Sequence, residues 1–246
     1  MKVLSLDSSG MVASVAILED ERLLAEYTVN YKKTHSQTLL PMLKEIAQMV
    51  ELDLETVDAI AVAGGPGSFT GLRIGSATAK GLGLALNKPL VHVPTLEGLA
   101  YNLFGTEKII CPMMDARRNQ VYTGIYQFRD GELRVLEKQM AVSVEEIADK
   151  LNVLGREIIL LGDGVNVYRE QLAKLLKVSY EPAPIHLNQQ RASAVAVCAL
   201  HYIKQGRTET AAEHQPDYLR VSQAERERAK KIYDTKSNIG KYSCKA

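Results

Sequence analysis

The sequence predicts an α/β protein of two similar lobes facing a cleft. Three observations carry this. The order strand, strand, strand, helix, strand, helix can be read twice along the 246 residues. The first strand of each half ends on an acidic residue, Asp7 and Asp115. The fourth strand of each half ends in glycines, Gly64-Gly65 and Gly162-Asp163-Gly164.

The first half opens with Lys2–Asp7, an apolar run of strand type. Val12–Leu18 and Leu23–Asn30 follow as strands two and three, and the charged turn Glu19-Asp20-Glu21 between them makes a meander. Residues Ser36–Val50 place Leu39, Leu43, Ile46 and Val50 on one helical face. Pro41 fits this helix if Thr38 is its N-cap, because first-turn N–H groups have no partner anyway. A buried strand at 57–63 leads into the block Gly64-Gly65-Pro66-Gly67-Ser68-Phe69-Thr70-Gly71, and a helix over 71–86 ends at Asn87-Lys88-Pro89. Leu90–Val93 reads as a strand, and Thr95 as the cap of a helix running to about Phe104. In the second half the strands are Ile109–Asp115, Val121–Phe128 and Glu132–Met140. A capping box, Ser143-Val144-Glu145-Glu146, opens a helix to Leu151, and Ile158–Leu161 is a buried strand. Helices follow at Tyr168–Leu176 and Ala192–Lys204. This order matches the actin-like and sugar-kinase-like ATPase folds of the ribonuclease H-like group, an analogy at the level of fold. The division expected is residues 1–104, residues 105–220, and a flexible basic tail at 221–246.

Composition is that of an ordinary globular chain, 46% hydrophobic and 24% charged. No run of 18 apolar residues predicts a membrane span, and Asp7 interrupts the N-terminus too early for a secretory leader. Cys111, Cys198 and Cys244 are odd in number and far apart, which suits a reducing cytoplasm. The net charge of +1 is uneven, since residues 219–246 hold eight basic and three acidic groups. Such a tail can contact nucleic acid or simply be solvated.

The glycine block sits at a strand-to-helix turn, where N–H groups at a helix start can hold an anion. Asp7, Gly65, Gly67, Ser68 and Thr70 are the candidate anion or nucleotide contacts, with Ser68 or Thr70 as N-cap. The block lacks the Lys-Ser/Thr of a phosphate loop and the spacing of a dinucleotide fingerprint. Within the following helix Gly71, Gly75, Ala79 and Gly83 recur every four residues and form one row. Such a row allows close approach of another helix, either a partner's or the chain's own. The candidate partner interface is this row with Leu72, Leu39 and Leu43. Asp7, Asp115 and Asp163 are either cleft carboxylates for a magnesium nucleotide or acceptors for turn N–H groups. Arg117 and Arg118 are either anion grips or solvated turn residues. Metal and nucleophile signals are missing. No two of the five histidines stand three or four apart, and Pro66 replaces the first Gly of a nucleophile elbow.

Five segments carry a resemblance to the bacterial TsaB (YeaZ) family. They are Val3-Leu4-Ser5-Leu6-Asp7-Ser8-Ser9, His35-Ser36-Gln37 (Gln where the family has Glu), and the whole run from Gly64 to Gly75. The others are Met114-Asp115-Ala116-Arg117-Arg118 with Val121-Tyr122, and Pro216-Asp217-Tyr218-Leu219-Arg220. The resemblance spans residues 1–220. It implies a cytoplasmic protein needed to make threonylcarbamoyladenosine, the modified adenosine beside the anticodon of tRNAs that read codons beginning with A. It implies a non-catalytic scaffold with no cofactor of its own. That scaffold would pair through first-lobe helices with the catalytic paralogue TsaD, work with the ATPase TsaE, and meet tRNA through the complex. ATP or ADP would sit at the interface of the assembled complex, and a homodimer would form where TsaD is absent. TsaD-like sequences carry a His-x-x-x-His metal pair where this chain has Thr95 and Leu99, so no metal is expected. The rival reading is a stand-alone enzyme of the same fold, a metal-dependent peptidase or an ATP-dependent kinase.

Overall fold

The computed structural model describes residues 1–220; residues 221–246, for which the sequence predicts a flexible tail, lie outside the described residues. The first sheet is built from β1 (Lys2–Asp7), β2 (Ala13–Glu19), β3 (Arg22–Val29), β4 (Ala59–Gly65) and β5 (Leu90–Pro94). Its strand order is β3-β2-β1-β4-β5, antiparallel along the meander and parallel from β1 to β5. The second sheet uses β6 (Ile109–Asp115), β7 (Gln120–Arg129), β8 (Glu132–Ser143), β9 (Ile158–Leu161) and β10 (Tyr180–Pro182). Its order, β10-β9-β6-β7-β8, repeats the first with each strand in the matching place. The doubled topology is that of the actin-like fold.

Both faces of each sheet are covered. Leu4, Leu6, Ile60 and Val62 face α1 (His35–Met49) and α2 (Phe69–Leu86) on the outside of the first sheet. Val3, Ala61, Ala63 and Val91, one step along the same strands, point the other way. They meet α3 (Thr95–Tyr101) and α7 (Ala192–Lys204), which share one apolar core with Ile110, Met114, Tyr126 and Ile159 of the second sheet. The outer face of the second sheet packs on α4 (Val144–Leu154), α5 (Asp163–Val167) and α6 (Arg169–Leu175). The two helices between the sheets therefore weld the lobes into one body. Gly98 of α3 serves this contact, since a Cβ there would press on Val195 of α7 at 3.2 Å.

Although α7 belongs to residues 105–220, it lies against β1, β2 and β5 of the first sheet. Its N-terminus is pinned there. Ser5 Oγ donates to Ala192 O at 2.7 Å, and Ala192 N donates to Ser14 Oγ at 2.8 Å. The carboxylate of Glu26 on β3 accepts from Arg191, from Ser193 N at 3.0 Å and from Ser193 Oγ at 2.6 Å. Glu26→Gln should thus cost about 1–2 kcal/mol, the scale of bonds to a charged acceptor. A thermal melt should fall by roughly 2–8 °C, and an unchanged melt would show that this clamp adds nothing to stability.

Several local expectations are corrected by the structure. Thr38 is not the cap of α1: the helix starts at His35 after Thr34, so Pro41 lies inside it. The proline is tolerated because it and Gln37, whose carbonyl loses its partner, are both exposed to water. Thr95 is the first residue of α3 rather than its cap, and its hydroxyl accepts from Gly65 N at 3.1 Å. The short elements β10, α5 and the 3₁₀ turn Leu54–Thr56 have no counterpart in the sequence pattern, each being too brief to show a period. Ser68 does cap α2, and Ser143 does cap α4. Cys111 and Cys198 are buried free thiols, and burial pushes the Cys111 thiol up to about 12. No helix among the described residues is long and apolar enough to cross a membrane.

Candidate functional site

The ends of β1, β4, β6 and β9 converge on a cleft of about 320 Å³ lined by Ser9, Gly10, Gly67, Ser68, Asp115 and Asp163, together with Met11, Met114, Arg117 and Tyr122. It lies where strand ends of the two sheets meet, the usual place for a ligand in an open α/β sheet. Of the candidate anion contacts, Gly67 and Ser68 line it. Ser68 Oγ is committed to Gly71 N at 3.2 Å, and Thr70 is exposed outside the lining. Gly65 faces away: its N–H reaches Thr95, its φ of +122° requires glycine, and a Cβ would strike Asp217 O.

The three acidic residues all accept backbone N–H groups, Asp7 and Asp115 from their own turns and Asp163 from the end of β6. Asp7 takes Ser9 N at 2.8 Å and Ser9 Oγ at 2.6 Å, and it is buried behind the turn rather than in the cleft lining. Burial pushes its carboxyl up to about 6, against the opposing pull of the Ser9 bonds. Asp115 accepts Arg117 N at 2.8 Å and the Tyr168 hydroxyl at 2.9 Å, and Asp163 accepts Asp115 N at 3.2 Å. Burial raises Asp163 above the usual carboxylate range. Arg117 and Arg118 are both exposed in the β6–β7 turn, and Arg117 reaches the cleft wall.

The glycine row faces inward. Gly71, Leu72, Gly75, Ala79 and Gly83 are buried within the first lobe. A Cβ on Gly71 would strike Ser8 O, and one on Gly75 would lie 2.5 Å from Ser8 Oγ. At Gly83 the neighbours are Leu90, Lys88 and Ala211. The candidate interface through this row is therefore corrected: what it lets approach is the chain's own β1–β2 turn at Gly71 and Gly75, and Leu90, Lys88 and Ala211 at Gly83. Leu39 and Leu43 are likewise buried under the sheet. The exposed apolar and small positions of the same helix pair are Ala77, Gly81 and Leu84 on α2 and, on two sides of α1, Leu40 and Met49. An apolar groove along α1 is bounded by Leu40, Pro41, Ala47, Leu52 and Leu54.

Two segments far apart in sequence form one structural unit. Asp217 N donates to Gly64 O at 2.6 Å, Tyr218 packs on Phe69 with ring centroids 4.6 Å apart, and the Arg73 guanidinium also lies over the Phe69 ring. Arg220 reaches across to Ala116 O at 2.6 Å. The C-terminal block thereby straps the glycine block of one lobe to the β6–β7 turn of the other. The same return of the chain brings His92, Glu209 and His214 together, a grouping no local spacing signals.

Comparison with known proteins agrees with this architecture. Residues 22–228 match the family model described as TsaD, tRNA N6-adenosine threonylcarbamoyltransferase. The tRNA threonylcarbamoyladenosine biosynthesis protein TsaB of Bacillus subtilis (strain 168) is 31% identical over 228 residues, 92% of this chain and 96% of that protein. TsaB of Escherichia coli (strain K12) is 32% identical over 168 residues, 67% of this chain and 72% of its own length. A crystal structure from Pseudomonas aeruginosa, described as an uncharacterized protein with similarity to peptidase YEAZ, superposes with a TM-score of 0.78. It is 29% identical, covering 89% of this chain and 99% of that one. Doubled five-stranded sheets, an inward glycine row and a match to a TsaB protein along nearly all of both chains converge on one conclusion: the chain belongs to the TsaB (YeaZ) family.

Proposed function

We propose that this chain acts in tRNA threonylcarbamoyladenosine biosynthesis as a non-catalytic subunit in the cytoplasm, pairing with a TsaD transferase and working with TsaE. One observation carries the non-catalytic part. The two places of the transferase metal histidines hold Thr95, whose hydroxyl is bound to Gly65 N, and Leu99, which is buried in the core and has no donor atom. Neither can serve as that metal ligand. The cleft carboxylates already accept backbone N–H groups, Asp115 from Arg117 in its own turn and Asp163 from Asp115 on β6, which supports placing ATP or ADP at the interface of the assembled complex rather than in this chain alone. Contact with tRNA would then come through the complex. The rival, a stand-alone peptidase or kinase, predicts turnover by the purified chain.

The experiment is twofold. Depleting the protein should lower the modified adenosine in bulk tRNA. The purified chain should show no peptidase or ATPase activity until TsaD and TsaE are added. Modification at the normal level in depleted cells would overturn the proposal.

The partner surface we assign is the exposed face of α1 and α2, around Leu40, Met49, Gly81 and Leu84. The same face would form the homodimer when TsaD is absent. A Cβ on Gly81 meets nothing within 4 Å, so Gly81→Arg is expected to keep the fold. Its melting temperature should stay within about 4 °C, since helix propensity changes by only about 1 kcal/mol. Association with TsaD, measured by sedimentation, should weaken about 10-fold or more, equivalent to at least about 1.4 kcal/mol. Unchanged association would remove this face from the interface.

A further inference from the structure

The edge of the first sheet carries a group of side chains that the proposed role does not use. His92 of β5 is half-buried, with its ring over Gly64, where any Cβ would collide with it. The chain returns to this edge at Glu209, whose N–H and C=O pair with Leu90 at 2.9 and 2.8 Å. Thr210 and Glu213 then cap one another. Thr210 N and Oγ1 donate to the Glu213 carboxylate at 2.9 and 2.8 Å, and Glu213 N donates to Thr210 Oγ1 at 3.2 Å. That turn folds His214 back over Glu209, with Nδ1 and Oε1 2.6 Å apart. Lys80 Nζ fixes the backbone there by donating to His214 O at 2.9 Å.

The result is a buried, oriented imidazole with one nitrogen to spare. His214 is 1% exposed, and its Nε2 has no hydrogen-bond partner among the described residues. Buried polar atoms are rarely left so. The rings of His92 and His214 are 5.6 Å apart between centroids, and one donor atom from each of His92, Glu209 and His214 lies within 4.8 Å of the others. Bonds of about 2.0–2.1 Å to a tetrahedral zinc put ligand atoms roughly 3.4 Å apart, so closing the set takes release of the Glu209 carboxylate from His214 Nδ1 and rotation of the side chains toward the ion.

We propose that His92, Glu209 and His214 bind one divalent cation of the zinc class, and that the bound cation ties the C-terminal segment to β5. Two imidazoles and a carboxylate suit zinc and its first-row neighbours, whereas magnesium and calcium favour all-oxygen sets. Three protein ligands leave a position for water, and the Glu209 side chain, 27% exposed, opens the site to solvent. The site uses neither Thr95 nor Leu99, and peptidase turnover by the zinc-loaded chain would overturn the non-catalytic reading while leaving the site in place.

The test uses the full chain, purified without an affinity tag and stripped with a chelator. Zinc titrated by calorimetry should bind at one equivalent and raise the melting temperature, and cobalt(II) should give the visible absorption of a four-coordinate site. His92→Gln and Glu209→Gln should each weaken zinc binding by more than the roughly 10- to 100-fold typical of losing an outer-sphere partner. Both should abolish the thermal gain from zinc. His214→Ala removes a fully buried ring and puts the fold itself at risk, so the half-buried His92 is the deciding position. Absence of saturable one-to-one binding in the wild type would overturn the proposal and leave a hydrogen-bonded His–Glu strap. Affinity unchanged in His92→Gln would overturn it equally.

Discussion

Replacing Gly75 by leucine is expected to lower the melting temperature by roughly 2–12 °C while leaving the partner affinity of the folded protein unchanged. The Cβ alone would sit 2.5 Å from Ser8 Oγ and 3.7 Å from Val62 Cγ2. Ser8 Oγ cannot retreat freely, because it donates to Gly71 O at 2.9 Å one turn earlier in the same helix. Overpacking typically costs about 1–3 kcal/mol, a disturbed buried hydrogen bond about 1 kcal/mol more, and the better helix propensity of leucine offsets under 1 kcal/mol. The net is about 1–3 kcal/mol against folding. Gly81→Arg, six residues on, is the internal contrast: the inward position should report in the melt and the outward one in association. A fall in partner affinity at an unchanged melting temperature for Gly75→Leu would return the glycine row to an interface.

What the sequence made legible follows from where the physics is local. The long apolar strands, the Ser68 and Ser143 caps and the Asn87 stop are set by residues within one turn of each other. The repeat of topology was readable because each lobe spells it in the same order, apart from the three-residue β10, which contains a proline. The burial of α7 was also signalled, by a helix of alanines, valine and cysteine with scarcely a charge. Which sheet α7 covers was not, because that depends on Ser5, Ser14 and Glu26, far away in the chain. The glycine row shows the same limit. A stripe of small residues says that something approaches closely, and nothing in the spacing says whether it is a partner or the Ser8–Ser9 turn. The flanks of the row do not say either, since polar Ser76 is buried beside it while Ala77 and Leu84 face water. At the cleft, the acidic strand ends were found, but their division of labour was not. Asp7 is buried in its own turn, whereas Asp115 and Asp163 line the space.

Asp7 gives the second large effect, and its sign is set by burial. Its carboxyl titrates at about 6 in the folded chain against an ordinary value of 3.8. A carboxylate raised on folding binds its proton more tightly in the native state, so its contribution to stability is complete below the unfolded value. That contribution is lost as the pH rises through about 6. At neutral pH the ionised, buried group therefore disfavours the fold by about 3 kcal/mol, at 1.36 kcal/mol per pH unit. Asp7→Asn removes the charge and keeps an oxygen to accept from Ser9 N and Ser9 Oγ. The variant should melt roughly 6–12 °C above the parent at pH 7, and the gap should close as the pH falls from about 6 toward 3.8. Melts of both proteins across that range measure the difference directly and cancel the titration of every other group. A variant less stable than the parent at all pH values would mean that the Ser9 bonds to a full charge outweigh its burial. Asp7 would then be a charged anchor for the turn on which Gly67 and Gly71 rest.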